Sequence, residues 1–238
     1  MMEVITDQNP SELLLRASAS LNALLSTYKT FPILFLTSGG SAFKLLSGIS
    51  QTQLGSNLTV SVLDERIDTN PTVNNFAQLC ETKFYEQAIQ FKTNFISTEV
   101  GKDESVESFT IKFDTALKNW KKQNLNGKII VTMGIGVDGH TAGIMPFQED
   151  PEKFIKLFKN PMRWVAGYDA GNKNPYNLRA TVTISYLTMQ VDHAIVYCTG
   201  IEKKEALQKI NNGTDLAEIP ARVLNQMKDV KLFTDVSL

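Results

Sequence analysis

Residues 128–146 read Lys-Ile-Ile-Val-Thr-Met-Gly-Ile-Gly-Val-Asp-Gly-His-Thr-Ala-Gly-Ile-Met-Pro, an apolar strand pattern that runs directly into a glycine-rich turn. Open parallel sheets bind ligands where such loops leave the carboxyl ends of their strands. Glycines let the backbone approach a bound group closely, and histidine changes its protonation state near neutral pH. The stretch therefore predicts a ligand crevice that offers His140, with Asp138 beside it, as an acid or base.

The same turn also spells the Gly-x-Gly-x-x-Gly pattern of dinucleotide sites, at Gly134, Gly136 and Gly139. That pattern needs a long helix after it and an acidic residue about 20 positions further on. Pro146 instead cuts the following segment short, and residues 156–162 contain no acid. A nicotinamide oxidoreductase is therefore only a minor alternative, and the sequence predicts no cofactor.

Helical and strand patterns alternate along the chain. Strand patterns lie at 31–37, 58–63, 94–97, 128–133, 163–167, 180–185, 194–198 and 231–234. Helical patterns lie at 10–29, 42–50, 73–90, 105–123, 152–158, 202–210 and 220–227. Strands that alternate with helices of this length predict an α/β fold, a mostly parallel sheet with helices on both faces.

Composition limits the classes of protein to which the chain can belong. It has 238 residues, 42% of them apolar, and no shift in composition marks a linker, so we expect a single domain over residues 1–238. The net charge of −1 gives no long-range attraction to nucleic acid or acidic membranes. No segment approaches the roughly 18 apolar residues of a membrane span, and the first residues lack a signal-peptide pattern. Cys80 and Cys198 lie far apart in apolar surroundings, which suits reduced thiols in a cytoplasmic protein better than a disulfide or a metal site.

Other loops that follow strand patterns carry polar groups to the same edge of the predicted sheet. A glycine-serine turn before a helix offers backbone N–H groups that suit an anion. A charge cluster follows the second strand, and two cations follow later. The candidate binding and catalytic residues in these loops are Ser38, Gly39, Gly40, Ser41, Asp64, Arg66, Arg179 and Lys203. Each is by itself compatible with an ordinary turn or with surface charge.

Taken together and in this order, these segments resemble the 6-phosphogluconolactonase family, which shares its fold with glucosamine-6-phosphate deaminases. The most specific matches are Asp-Gly-His-Thr-Ala at 138–142 with Pro146, and Asp-Glu-Arg at 64–66; the resemblance runs from Ser38 to Arg222. It implies a modified Rossmann-like three-layer sandwich. It also implies a carboxylic ester hydrolase that acts on a small sugar-phosphate lactone, 6-phospho-D-glucono-1,5-lactone. We expect a monomer or weak homo-oligomer.

The resemblance also implies roles for individual residues. His140 matches the base of the family, and the phosphate and substrate ligands match the Ser38–Ser41 loop with Arg66, Arg179 and Lys203. This chain departs from the family at Ala42-Phe43, which replaces the usual Thr-Pro after the serine-glycine turn.

The deaminase pattern differs from this sequence in chemically important ways. Deaminases have a glutamate immediately before the proline, whereas this chain has Met145, and Arg66 stands where they usually carry tyrosine. A thioether cannot transfer a proton, but lactone hydrolysis needs only activation of water and stabilisation of one oxyanion. We therefore favour the lactonase over the deaminase.

The expected mechanism uses neutral His140 to take a proton from the water that attacks C1 and to return it to the leaving ring oxygen. Either Asp138 or Asp64 orients the imidazole, and the sequence leaves both open. Two rival functions remain: a deaminase or isomerase on the same fold, and a catalytically silent sugar-phosphate-binding module.

Overall fold

The computed structural model describes residues 2–212 and 215–237. Its strands are β1 (Met2–Thr6), β2 (Ile33–Thr37), β3 (Leu58–Val62), β4 (Asp64–Arg66), β5 (Asn94–Phe95), β6 (Lys128–Met133), β7 (Val165–Asp169), β8 (Leu178–Val182), β9 (His193–Cys198) and β10 (Val230–Thr234). Its α-helices are α1 (Pro10–Thr27), α2 (Asn75–Cys80), α3 (Lys83–Gln90), α4 (Val106–Gln123), α5 (Pro151–Phe158), α6 (Ile184–Met189) and α7 (Lys204–Asn211). The longest 3-10 helices are Gly40–Gly48 and Pro220–Asn225.

The main sheet has seven parallel strands in the order β1-β10-β9-β6-β2-β3-β5. Successive side chains of a strand point to opposite faces. Leu34 and Leu36 of β2 accordingly belong to a buried cluster with α4, α5, α6 and α7, whereas Ile33 and Phe35 belong to another with α1, α2 and α3. The sheet is thus covered on both faces, which confirms the predicted three-layer α/β sandwich.

The order of the strands creates a crevice beside β2. The chain passes from β2 to β3 on one side, while β6 pairs with the other side of β2. The two strand ends are tied together: Ser38 N donates to Thr132 O over 2.9 Å, and the Thr132 hydroxyl donates to the Thr37 hydroxyl over 2.8 Å. Loops that leave such a switch point diverge and leave room for a ligand.

A second, antiparallel sheet of three strands, in the order β4-β8-β7, lies beside this crevice. Its register pairs Arg66 with Arg179 and Asp64 with Thr181. The small sheet therefore brings two segments that are distant in sequence to the same edge of the main sheet. The predicted strands at 163–167 and 180–185 lie here rather than in the parallel sheet.

Several predicted boundaries were wrong because side-chain caps interrupt helical patterns. The single helix predicted at 73–90 is two helices, since Asn74 caps α2 by accepting from Ala77 N and Thr82 caps α3 by accepting from Tyr85 N. Thr183 likewise ends the predicted strand at 180–185 and caps α6.

Other elements differ in type or were not predicted. The segments predicted as helices at 42–50 and 220–227 are 3-10 helices, and 202–210 begins with a 3-10 turn before α7. The two strands missed by the sequence pattern, β1 and β4, are a half-exposed edge strand and a three-residue charged strand. Among the described residues, none of the helices combines the length and apolar character needed to cross a bilayer.

Candidate active site

A pocket of about 190 Å³ opens at the carboxyl ends of β2 and β6. It is lined by Ser38, Gly39, Gly40, Ser41, Asp64, Arg66, Asn75, Gly134, Ile135, Gly136, His140, Ala142, Gly143, Arg179 and Lys203. The structure thus brings together nine of the ten candidate residues from the sequence, and the tenth, Asp138, contacts His140 directly.

His140 and Asp138 form a hydrogen-bonded pair at the mouth of this pocket. Nδ1 of His140 lies 2.5 Å from Oδ1 of Asp138, which also accepts from the His140 backbone N–H over 3.2 Å. Partial burial raises the pKa of Asp138, but its hydrogen bonds and charge interaction with His140 outweigh burial and hold this pKa below its usual range. An ionised carboxylate only accepts hydrogen bonds, so Nδ1 carries the proton and Nε2 is left as the basic nitrogen.

The turn that carries this pair is closed by its own backbone. Gly136 N donates to His140 O over 2.8 Å, and Gly139 N donates to Gly136 O over 3.1 Å. The Thr141 hydroxyl donates to Gly134 O over 2.7 Å. A Cβ on Gly136 would overlap the imidazole and lie 2.5 Å from Oδ1 of Asp138. Glycine at this position therefore leaves the room that the two side chains need.

We expect Gly136→Ala to lower kcat by about tenfold to a hundredfold, because the added methyl group displaces His140 from Asp138 and a misplacement of about 1 Å costs up to ~10²-fold. Steady-state kinetics measure the effect. Gly101→Ala is the control, since a Cβ there meets no atom closer than 3.6 Å. Unchanged turnover in Gly136→Ala would show that the observed geometry of the pair is not needed.

Asp64 is engaged with Arg179 rather than with the imidazole. Oδ2 of Asp64 accepts from Nη2 of Arg179 over 2.8 Å, and both side chains are about 95% buried. Nε and Nη1 of Arg179 are buried as well and reach no acceptor among the described residues. Of the two carboxylates considered from sequence, Asp138 is therefore the one that contacts His140, and Arg179 keeps free donors at the pocket.

The other two cations line the pocket from different elements. Arg66 donates through Nη1 to Val73 O over 2.7 Å, and its guanidinium lies 5.8 Å from the ring centre of Tyr176. Lys203 stands partly exposed immediately before α7. These three cations face the same space as His140, which allows one ligand to contact both the imidazole and a positive charge.

The Ser38–Ser41 turn presents unpaired polar groups to the pocket. The Ser38 hydroxyl is buried and has no partner among the described residues. The 3-10 helix that starts at Gly40 has no side-chain cap, so the first N–H groups of its backbone remain available to a ligand. Ala42 and Phe43, which replace Thr-Pro of the lactonase pattern, contribute instead to the core behind the turn, where Ala42 is fully buried.

Two residues at or beside the pocket were not named as candidates from the sequence. Glu65, inside the charged strand β4, is fully buried. Burial raises its pKa to about 7, although hydrogen bonds from the N–H groups of Phe76, Asn75 and Arg66 and from the Thr98 hydroxyl lower it. Asn75 lines the pocket at the start of α2. The alternation of a strand predicts that Glu65 points away from Asp64 and Arg66, but only if β4 is first known to be a strand.

The second histidine, His193, lies at the amino end of β9, whereas the pocket lies at the carboxyl ends of the strands. Its Nδ1 contacts Oδ2 of Asp229 at 2.6 Å and its Nε2 contacts the Tyr28 hydroxyl at 2.9 Å. Both ring nitrogens are thus satisfied by the protein, which is typical of a structural histidine.

Comparison with known proteins identifies a matching family model and similar folds. A family model described as glucosamine-6-phosphate isomerases/6-phosphogluconolactonase matches residues 8–233. No curated protein sequence matches the chain.

Solved structures of similar fold come from both branches of this family. A 6-phosphogluconolactonase from Trypanosoma brucei has a TM-score of 0.76 and 20% identity, with 98% of this chain and 96% of that chain covered. One from Shewanella baltica has a TM-score of 0.73 and 16% identity, covering 98% and 97%. A monomeric glucosamine-6-phosphate deaminase has a TM-score of 0.65 and 16% identity, also covering 98% and 97%. At these identities the likeness establishes the fold.

Proposed function

Because the chain belongs to the glucosamine-6-phosphate isomerase/6-phosphogluconolactonase family, we propose that it hydrolyses 6-phospho-D-glucono-1,5-lactone to 6-phosphogluconate, the lactonase step of the oxidative pentose phosphate pathway. The observation that carries this proposal is the Asp138–His140 pair at a pocket whose other walls hold Arg66, Arg179 and Lys203. A base and a group of cations in one small pocket suit a substrate with a reactive carbonyl at one end and a phosphate at the other. The same proposal includes that the protein forms a single domain, is cytoplasmic and is a monomer or weak homo-oligomer.

The choice of lactonase over deaminase rests on Met145. Its side chain is 2% exposed and packs in the core, at the position where the deaminase pattern has a glutamate. Deamination of an amino sugar needs ring opening and a proton transfer at carbon, for which a second acid or base is required. Since Asp64 is paired with Arg179, His140 oriented by Asp138 is the group that remains to transfer protons among the described residues of the pocket, and one such group suffices for hydrolysis of an ester.

In the proposed mechanism Asp138 is the residue that orients the imidazole. It holds the proton on Nδ1 of His140, so Nε2 removes a proton from water as the water oxygen attacks C1 of the lactone. The tetrahedral intermediate then collapses, the bond from C1 to the ring oxygen breaks, and the imidazolium returns its proton to that oxygen. General-base help contributes typically ~10²–10⁴-fold, and one oxyanion donor ~10²–10³-fold.

The phosphate is proposed to bind among the cations and the Ser38–Ser41 turn. Lys203 and Arg66 supply charge, Arg179 supplies Nε and Nη1, which have no acceptor among the described residues, and the uncapped start of the 3-10 helix supplies N–H groups. Binding at this end of the substrate positions the carbonyl at the other end. Phosphate-free gluconolactone should therefore be a poor substrate.

We expect Lys203→Ala to raise KM for the phosphorylated lactone by about tenfold or more, because a charge-assisted hydrogen bond to the phosphate is lost. KM for unphosphorylated gluconolactone should stay unchanged. Lys204→Ala is the matched control, since Lys204 is the next residue and is exposed outside the pocket. An equal rise in KM for both lactones would argue against contact with the phosphate.

The experiment that tests the proposed function is hydrolysis of freshly generated 6-phosphogluconolactone, followed with a pH indicator after subtraction of spontaneous ring opening. Enzyme-dependent hydrolysis is the expected result. Release of ammonia from glucosamine 6-phosphate would instead identify a deaminase. Binding of sugar phosphates without turnover of either substrate would identify a silent binding module.

A further inference from the structure

Asn75 is held rigidly at the wall of the pocket by three interactions. Its backbone N–H donates to Oε1 of Glu65 over 2.6 Å, and the next N–H, of Phe76, donates to Oε2 over 2.9 Å. Its side-chain Nδ2 donates to the backbone carbonyl of Asp64 over 2.8 Å. Asn75 is only 1% exposed, so neither its backbone nor its side chain has room to move freely.

These contacts determine which end of the carboxamide faces which neighbour. A backbone carbonyl only accepts hydrogen bonds, so the amino group of Asn75 must point to Asp64 and the oxygen must point away from it. That oxygen, Oδ1, lies against Gly39, where a Cβ would overlap it. Oδ1 is buried and no donor among the described residues reaches it, although Asn75 lines the pocket. The site therefore holds a buried, oriented acceptor that lacks a donor.

We propose that Asn75 determines substrate specificity by accepting a hydrogen bond from a ring hydroxyl of the sugar phosphate through Oδ1. The inference rests on the proposed function, and it adds a residue that recognises the sugar ring itself. A phosphate dianion has only acceptor oxygens and cannot satisfy Oδ1, whereas a hydroxyl is a donor. The Ser38 hydroxyl at the same pocket is also buried and has no partner among the described residues, so it is able to serve as donor or acceptor to the same ring.

Binding of a stable ring mimic tests this role without any need for turnover. The probe is 1,5-anhydroglucitol 6-phosphate, which keeps the pyranose ring and the phosphate but lacks the carbonyl, together with its 2-, 3- and 4-deoxy analogues. Titration calorimetry gives the affinity of each. We expect one analogue to bind the wild-type protein on the order of 10- to 100-fold more weakly, because loss of its hydroxyl leaves Oδ1 buried without a donor.

The decisive comparison is between Asn75→Ala and Asn74→Ala. Asn74 is the preceding residue, is also buried and caps α2, but it does not line the pocket, so its replacement controls for damage to the helix. In Asn75→Ala the penalty for that one deoxy analogue should disappear, whereas in Asn74→Ala it should persist. Asn75→Leu, which keeps the side-chain volume without the acceptor, replaces the alanine variant if that variant does not fold.

The possible outcomes distinguish failure of the inference about Asn75 from failure of the proposed function on which it rests. If no deoxy analogue binds wild type more weakly, or if the penalty persists unchanged without the Asn75 carboxamide, the inference is overturned while the sugar-phosphate site stands. If 1,5-anhydroglucitol 6-phosphate itself does not bind the wild-type protein, the proposed function fails and the inference fails with it.

Discussion

Replacement of His140 by alanine is expected to lower kcat by about 10²–10⁴-fold, the range that a positioned general base contributes. Among the described residues that line the pocket, none is placed to act as the base instead: Asp138 contacts His140, and Asp64 is paired with Arg179. The imidazole is partly exposed, and its hydrogen bond among the described residues is to Asp138 of the same turn, so the melting temperature should change little. Steady-state kinetics and thermal unfolding of the same sample separate the two effects.

His193→Ala is the matched control for this experiment. Its ring bridges Tyr28 and Asp229 at the opposite end of the strands, so its loss should lower the melting temperature and leave kcat nearly unchanged. His140→Ala should therefore lower kcat with little change in melting temperature, whereas His193→Ala should lower the melting temperature with little change in kcat. Near-native turnover in His140→Ala would exclude this residue as the base and would remove the main support for the mechanism.

Arg179→Ala is expected to lower the free energy of unfolding by about 3–5 kcal/mol, because removal of one partner leaves the other as an uncompensated buried charge. The partner is Asp64, whose carboxylate accepts from Nη2 of Arg179 in a region where both side chains are about 95% buried. Denaturant unfolding measures the loss. In protein that remains folded, KM for the phosphorylated lactone should also rise, since Arg179 lines the pocket and its Nε and Nη1 have no acceptor among the described residues.

A double variant distinguishes the buried charge from a simple loss of packing. Asp64→Asn in the Arg179→Ala background removes the uncompensated charge, and should recover part of the lost stability. Without that recovery, the destabilisation comes from the missing side-chain volume. A loss of about 1 kcal/mol or less in Arg179→Ala, as for an exposed ion pair, would contradict the buried pair seen here.

The sequence predicted the candidate site better than it predicted the elements that build it. The glycine-rich turn places His140 and Asp138 two residues apart on one tight turn, and such local geometry depends little on the rest of the chain. By contrast, the helix predicted at 73–90 was wrong, because the hydroxyl of Thr82 caps a new helix inside a continuous apolar pattern. Periodicity reports which face of a segment is apolar, but a cap can divide the segment without altering that pattern.

The sequence by itself predicted the class of fold, the edge of the sheet that suits a ligand and most of the charged and polar residues that meet there, because these follow from alternating periodicity and from loops after strands. Only the tertiary structure decided which charged side chains at that edge pair with one another. Asp64 and Arg179 are 115 positions apart, and their pairing depends on the antiparallel register of β4 with β8. Asp138 is thereby left as the partner of His140, and the backbone N–H of Asn75, which lines the pocket, donates to the buried Glu65. Local patterns describe one segment at a time, whereas the partner of a buried charge is set by which segments the core brings together.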